Sequence, residues 1–159
     1  MIFTGTFENK VDAKGRVSIP APFRALIKAS KSGQIALFPS FRYNGLEGMS
    51  LDMLTALASQ NAAVNPFAKG KTNPYSVLFR SALTLGIDDA GRITLPDSLI
   101  SRAALTGKAV FTGEGHSFLV WSPEAHQAQM AEDLAALAEG EGLDMLEADF
   151  AAAAAEAMA

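Results

Sequence analysis

The chain has 159 residues, of which 49% are hydrophobic and 19% are charged, so it can bury the core of one ordinary domain or two small ones. The absence of cysteine and the presence of only two histidines exclude a disulfide scaffold, a thiolate zinc site and a histidine-rich metal site. The formal net charge is −4, but residues 1–108 carry all 13 Lys and Arg against 7 Asp and Glu, whereas residues 109–159 carry 10 acids and no Lys or Arg. Such asymmetry is typical of a nucleic-acid or membrane surface joined to an acidic tail, although a charge bias is also the ordinary composition of a solvated face.

Several classes of protein are excluded by what the sequence lacks. No apolar run reaches the roughly 18 residues of a membrane-spanning helix, and the first ten residues do not have the pattern of a secretory signal, so we expect a cytoplasmic protein. Nothing in the sequence brings a nucleophile, a base and an orienting group together. We therefore predict that the chain is not an enzyme and that it binds no cofactor, metal or small-molecule ligand.

An internal repeat with an offset of 76 residues organises the chain. Residues 12–20 read Asp-Ala-Lys-Gly-Arg-Val-Ser-Ile-Pro, and residues 88–96 read Asp-Asp-Ala-Gly-Arg-Ile-Thr-Leu-Pro. In each copy the Asp and the Gly have the chemistry of a turn, and the alternating β-branched and polar residues favour a short strand. The proline ends that strand and suits the first turn of a helix.

Similar elements are predicted after each copy. The first copy is followed by a helix at 22–29 and strands at 33–38 and 46–49, and the second by a helix at 97–105 with Asp97 as its cap and strands at 107–111 and 117–121. A half of roughly 45 residues is too small to bury a good core alone. We therefore expect the two halves to pack together, within one chain or between chains.

The remaining segments are predicted to be helical or loop. Ser50 is placed to cap a helix that ends before a loop at 61–72, and residues 74–82 form another helical turn. Ser122, Pro123 and Glu124 start a helix that runs to about residue 138. Residues 143–159, rich in Ala and Glu, form a final helix or a frayed acidic tail.

The repeated arginines, Arg16 and Arg92, have two interpretations. In the structural one, an Asp closes each turn, a Gly permits it, and the Arg pairs with a carboxylate. In the functional one, each planar guanidinium binds phosphates or the edge of a guanine through two hydrogen bonds. Lys10 and Lys14 add phosphate-directed charge to the first copy, whereas Ala90 replaces the lysine in the second, which predicts a weaker contact there.

Together these residues resemble the MraZ family of bacterial transcriptional regulators. The resemblance is carried by Phe3-x-Gly5, by the two repeat copies, by Leu78-Phe79-Arg80-Ser81-Ala82 and by Phe118-Leu-Val-Trp-Ser122. It implies a β-rich α+β fold in which two AbrB-like repeats form a pseudo-symmetric swapped-hairpin β-barrel with flanking helices. The implied boundaries are 1–52 for the first repeat, 53–80 for a helical and loop connector, 81–124 for the second repeat, and 125–159 for a C-terminal helix and acidic tail.

The resemblance also implies a function. Members of the family form homo-oligomeric rings on double-stranded DNA, where they bind short G-rich direct repeats in the promoter of their own division and cell-wall gene cluster, usually as repressors associated with the nucleoid. The DNA-binding signature of the family falls on Asp12, Arg16, Asp88 and Arg92. Since a carboxylate repels phosphate, we assign the two aspartates and the glycines Gly15 and Gly91 to orienting the arginines and shaping the turns. A scaffold or interaction module, acting through the C-terminal tail, remains the alternative.

Overall fold

The structure is a computed structural model that describes residues 2–60 and 73–159, and the described residues form eight strands and six helices. In chain order the elements are β1 (Thr6–Lys10), β2 (Arg16–Ser18), α1 (Ala21–Ala29), β3 (Gln34–Pro39), β4 (Leu46–Ser50), α2 (Leu51–Gln60), α3 (Pro74–Ser81), β5 (Leu83–Gly86), β6 (Arg92–Thr94), α4 (Asp97–Arg102), β7 (Lys108–Gly113), β8 (Phe118–Trp121), α5 (Pro123–Ala138) and α6 (Leu143–Ala157). The predicted order of turn, strand, helix, strand and strand is therefore confirmed in both halves, and a further strand precedes each turn.

The two halves are interleaved in one six-stranded antiparallel sheet. Its strand order is β1-β7-β8-β4-β3-β5, and β2 and β6 pair separately as a two-stranded ribbon. Each half places its first strand beside the other half: β1 pairs with β7, and β5 pairs with β3. The repeat equivalents are β1 and β5, β3 and β7, and β4 and β8. If each strand is replaced by its equivalent, the result is the same strand order read from the opposite edge of the sheet. The sheet therefore has the two-fold pseudo-symmetry that the internal repeat of the sequence implies. The two halves pack together within one chain.

Apolar residues cover both faces of this sheet. The main core contains Phe3, Phe23 and Phe118, whose ring centroids are 5.1–5.5 Å apart. On the other face, a cluster around Phe38 packs against residues of α2 and α3, and another surrounds Trp121. Burial on both faces explains why two of the central strands, β3 and β8, have almost continuous apolar sequences.

The sheet is open in the described part of the chain. Barrel closure requires each strand to have two neighbours, but β1 and β5 each pair with a single strand of the sheet. β1 connects to the ribbon through an isolated bridge between Val11 and Val17 and through a hydrogen bond that the Asn9 side-chain amide donates to the Ser18 carbonyl at 2.7 Å, not through a continuous strand ladder. The α+β class is confirmed, but the expected excess of β-structure is not, because the six described helices contain more residues than the eight strands. The closed barrel is not found in residues 2–60 and 73–159, and the swapped-hairpin arrangement stays a prediction.

Most of the predicted helix starts are confirmed by their caps. The Ser50 hydroxyl accepts a hydrogen bond from the Met53 amide at 3.1 Å, and the Ser122 hydroxyl accepts one from the Ala125 amide at 3.0 Å. The cap at Asp97 is wrong, because Pro96 occupies the N-cap position and no side chain caps α4. That helix also ends at Arg102 rather than near residue 105. The backbone leaves the helical conformation there, and Ala104 has a positive φ of 51°. The predicted loop at 61–72 lies outside the described residues.

The chain divides into two compact units, Met1–Ala125 and His126–Ala159. The second unit contains most of α5 and all of α6, with eight acids and no Lys or Arg. Its exposed large apolar side chains are Met130, Leu134, Leu137, Leu143, Met145, Leu146, Phe150 and Met158. Among the described helices, none has the length and apolar character needed to span a bilayer.

Candidate nucleic-acid interface

The first turn, residues 12–16, is closed by the side chain of Asp12. Its Oδ1 accepts hydrogen bonds from the main-chain amides of Lys14 and Arg16, both at 2.9 Å. Its Oδ2 accepts a hydrogen bond from Nε of Arg16 at 2.7 Å. One carboxylate therefore shapes the turn and orients the guanidinium of the residue that ends it.

The second turn, residues 88–92, repeats these contacts. Oδ1 of Asp88 accepts hydrogen bonds from the amides of Ala90 and Arg92, both at 2.9 Å. Oδ2 of Asp88 lies 3.3 Å from Nε of Arg92, a longer contact than in the first turn. The structure therefore places both predicted pairs, Asp12 with Arg16 and Asp88 with Arg92, in the same local geometry.

The turns also require glycine. Gly15 and Gly91 have φ angles of +81° and +80°, which L side chains rarely adopt. A β-carbon on Gly15 would lie 2.5 Å from the carbonyl oxygen of Leu95. Hydrogen bonds connect each turn to the other repeat: the Leu95 amide donates to the Gly15 carbonyl at 2.8 Å, and the Ile19 amide donates to the Gly91 carbonyl at 3.0 Å. Each turn is thus held by the strand end of the other repeat.

The ribbon formed by β2 and β6 brings the two turns together. Val17 lies opposite Ile93 in the antiparallel register, and both side chains are 1% exposed. Because successive residues of a strand point to opposite faces, the residues on either side of this central pair share the outer face. We call this outer surface the ribbon face; its members are Arg16, Ser18, Arg92 and Thr94.

The ribbon face is accessible and polar. Ser18 and Thr94 are exposed, and the side chains of Arg16 and Arg92 are each 36% exposed. Apart from the Nε contacts with aspartate, neither guanidinium makes a hydrogen bond to any described residue. The four N–H groups on the two Nη atoms of each arginine therefore remain available for a planar, bidentate acceptor.

Both aspartates are held in the charged form. The main-chain amide of Arg16 is the main cause that lowers the pKa of Asp12, and the Arg16 guanidinium and the Lys14 amide add to it. The main-chain amide of Arg92 lowers the pKa of Asp88 in the same way, with the charge of that arginine next. At neutral pH each carboxylate is therefore ionised and keeps its guanidinium oriented.

The predicted lysines have different positions. Lys14 is exposed in the first turn, two residues from Arg16, whereas the second turn has Ala90 in its place. Lys10 is the last residue of β1 and lies opposite Lys108 of β7. It therefore belongs to the six-stranded sheet, and the structure does not bring it onto the ribbon face.

The structure adds residues that the sequence analysis did not select. Ser18 and Thr94 share the ribbon face with the arginines, and the alternation of each short strand is the signal that could have identified them. Arg24 is half-buried, and its Nη1 donates to the Ile19 carbonyl at 2.8 Å. Arg80 donates from Nε to the Ser76 carbonyl within its own helix at 3.1 Å.

The described residues show no cluster of His, Asp and Glu that could hold a metal ion. His116 lines an open cavity of about 320 Å³ together with Phe3, Leu26 and Met53, but no carboxylate joins it there. The arrangement with the clearest chemistry in the described chain is the ribbon face, with its two oriented guanidinium groups.

Comparison with known proteins identifies the family. A family described as "MraZ protein, putative antitoxin-like" matches residues 2–38 and 78–142, which include both turns and the ribbon but not α6. A protein named Transcriptional regulator MraZ from Gluconobacter oxydans is 39% identical over 127 residues, covering 78% of this chain and 77% of the relative. Proteins of the same name from Gluconacetobacter diazotrophicus and Rhodospirillum rubrum are each 37% identical, covering 82% and 79% of this chain and 85% and 83% of the relatives. The chain belongs to the MraZ family.

Proposed function

We propose that this chain is a sequence-specific DNA-binding transcriptional regulator and that the ribbon face contacts DNA. The observation that carries the proposal is the placement of Arg16 and Arg92 on one exposed face of a two-stranded ribbon. The major groove of B-DNA is about 12 Å wide and admits a two-stranded β-ribbon. The names of the relatives support a role in transcription.

The chemistry of the two arginines suits guanine. Each guanidinium has its Nε bonded to an aspartate and keeps its Nη groups for an acceptor pair. The O6 and N7 atoms of guanine form such a pair in the major groove. Asp12 and Asp88 orient the arginines rather than contact DNA, because an ionised carboxylate repels phosphate.

Phosphate contacts come second in this proposal. Lys14, exposed beside the first turn, adds a contact that the second turn lacks because it has Ala90 there. Lys10 lies before the first turn, at the end of β1 in the six-stranded sheet, so we assign it a weaker electrostatic role. The first turn is accordingly expected to bind more strongly than the second.

A single chain makes few contacts, so binding depends on several subunits. Each arginine on the ribbon face is already paired with an aspartate, which limits the affinity that one ribbon gains from phosphates. Subunits linked in a ring would contact successive short DNA repeats and gain affinity through effective concentration. On family resemblance, we place the binding sites in G-rich direct repeats of the promoter of the chain's own division and cell-wall gene cluster. There the protein would act as a repressor in the nucleoid of the cytoplasm.

Fluorescence anisotropy tests the proposal. Labelled DNA from upstream of the chain's own gene is compared with a scrambled duplex at several salt concentrations. We expect Arg16→Ala and Arg92→Ala to lose about 1–3 kcal/mol of preference for the promoter each. Arg80→Ala is the matched control and should keep the preference, because it removes an exposed charge whose hydrogen bond to a described residue lies within its own helix. Equal binding to both duplexes, or unchanged binding by both ribbon variants, would refute the proposal.

A scaffold function is the second candidate, because α5 and α6 expose large apolar side chains. Deleting residues 140–159 discriminates the two functions. The regulator interpretation predicts that promoter preference survives this deletion. The scaffold interpretation predicts that activity in the cell is lost while Arg16 and Arg92 prove dispensable.

A further inference from the structure

The two turns have the same backbone conformation, but different side chains pack against them. Position 24 in α1 is arginine, and its repeat equivalent in α4 is Ile100. A β-carbon built on Gly91 would lie 2.7 Å from Nη1 of Arg24, so the Arg24 side chain lies directly against the second turn. A β-carbon on Gly15 would lie 3.1 Å from Cδ1 of Ile100, so an apolar side chain occupies the equivalent place at the first turn.

Arg24 also joins the hydrogen bonds that hold the second turn. Its Nη1 donates to the Ile19 carbonyl at 2.8 Å, and the Ile19 amide donates to the Gly91 carbonyl at 3.0 Å. The same residue, Ile19, thus connects Arg24 to the turn that Arg24 packs against. Because Gly91 immediately precedes Arg92, a shift of this turn moves the guanidinium on the ribbon face.

The arginine is not required for packing alone. Ile100 shows that an aliphatic side chain is accommodated at the equivalent position of the other repeat. Half-burying a guanidinium without a carboxylate partner costs free energy, and Arg24 forms no ion pair with any described residue. What arginine adds here is a long-reaching donor to the Ile19 carbonyl.

We propose that Arg24 is a positioning residue for Arg92, which it holds from the opposite repeat, and that the first turn has no polar equivalent. The proposal rests on the DNA-binding function proposed above. The two arginines are therefore positioned differently. Arg16 is positioned by its own turn and by apolar packing of that turn against Ile100, whereas Arg92 is positioned by its own turn and by the polar side chain of Arg24 in α1.

A double-mutant cycle tests this dependence. Arg24→Ile installs the residue of the other repeat and removes the donor. Its effect on affinity for duplex DNA from upstream of the chain's own gene is measured in the wild type and in the Arg16→Ala and Arg92→Ala backgrounds. We expect a loss of about threefold or more in the wild type and in Arg16→Ala, and a clearly smaller loss in Arg92→Ala, because residues that act through one another are not additive. Equal losses in all three backgrounds, or no loss in any, would overturn the proposal.

Amide hydrogen exchange without DNA gives a second, independent readout. The Ile19 and Leu95 amides make equivalent hydrogen bonds to the two turns, so Leu95 is an internal control. In Arg24→Ile we expect the Ile19 amide to exchange faster and the Leu95 amide to be unchanged. Equal acceleration of both amides would show a general loss of stability and would refute the positioning role. If the wild type shows no promoter preference, the proposed function fails while this exchange result still decides the role of Arg24 in the turn.

Discussion

Alanine substitution of three glycines tests the geometry of the turns. Gly15, Gly91 and Gly107 all have φ angles between +80° and +84°, so each substitution pays a similar backbone cost of about 1–2 kcal/mol. What differs is the space around the new β-carbon. It meets the Leu95 carbonyl at Gly15, the flexible side chain of Arg24 at Gly91, and nothing within 4 Å at Gly107.

The expected order of destabilisation follows from these contacts. At Gly15 a separation of 2.5 Å from a backbone oxygen forces the turn to move and breaks the hydrogen bond from the Leu95 amide, which adds about 0.5–1.5 kcal/mol. We therefore expect Gly15→Ala to lower the free energy of unfolding by about 1.5–3.5 kcal/mol, and Gly107→Ala by the backbone cost alone. Gly91→Ala should fall between them, because the Arg24 side chain can move aside.

Urea unfolding at one fixed protein concentration, followed by circular dichroism, measures all three values. Gly107→Ala serves as the matched control, since it has the same backbone conformation without a neighbour. If Gly15→Ala is no more destabilising than Gly107→Ala, the 2.5 Å separation between a β-carbon at Gly15 and the Leu95 carbonyl oxygen is contradicted. The conclusion that each repeat holds the turn of the other would then be contradicted as well.

Two further predictions concern charged groups. Turn amides hold the pKa values of Asp12 and Asp88 below the ordinary value, so their stabilisation is complete above a pH of about 3.9 and is lost as the pH falls through the lower folded-state values. We expect Asp12→Asn combined with Asp88→Asn to flatten the acid side of the stability curve in urea unfolding; an unchanged slope would contradict this. Glu47 is 8% exposed, and its Oε1 accepts from Nε of Arg42 at 3.1 Å. Arg42→Ala should therefore cost about 1–3 kcal/mol of unfolding free energy, and adding Glu47→Gln should recover part of it, whereas no recovery would show that the unpaired charge is not the cause.

Local patterns in the sequence predicted the local structure well. The strands of both halves follow from alternation and β-branched residues, and the starts of α2 and α5 follow from the hydroxyl caps at Ser50 and Ser122. The carboxylate of Asp97 suits the role of a helix cap, but the preceding proline takes the N-cap position. When two neighbouring residues are both candidates for the N-cap position, the sequence does not decide between them, because the N-cap is defined by its backbone dihedral angles.

Long-range arrangement was harder to predict. A two-residue period identifies a strand but not its partner, so the pairing of β1 with β7 and of β3 with β5 was not evident. The repeat identified Arg16 and Arg92, but their shared face depends on the register of β2 with β6. The sequence assigns no role to Arg24, because only the packing of α1 against the opposite turn shows what this side chain touches.

The measurement that tests the central claim most directly uses a variant that keeps the charge and removes the planar donor fork. Combining Arg16→Lys with Arg92→Lys preserves two positive charges but abolishes bidentate contacts. Affinities for duplex DNA from upstream of the chain's own gene and for a scrambled duplex are measured at matched salt. If the ribbon face reads bases, the variant binds the scrambled duplex about as well as the wild type does and loses its preference for the promoter. If the preference is retained, the arginines act only as charges, and base recognition by the ribbon face is contradicted.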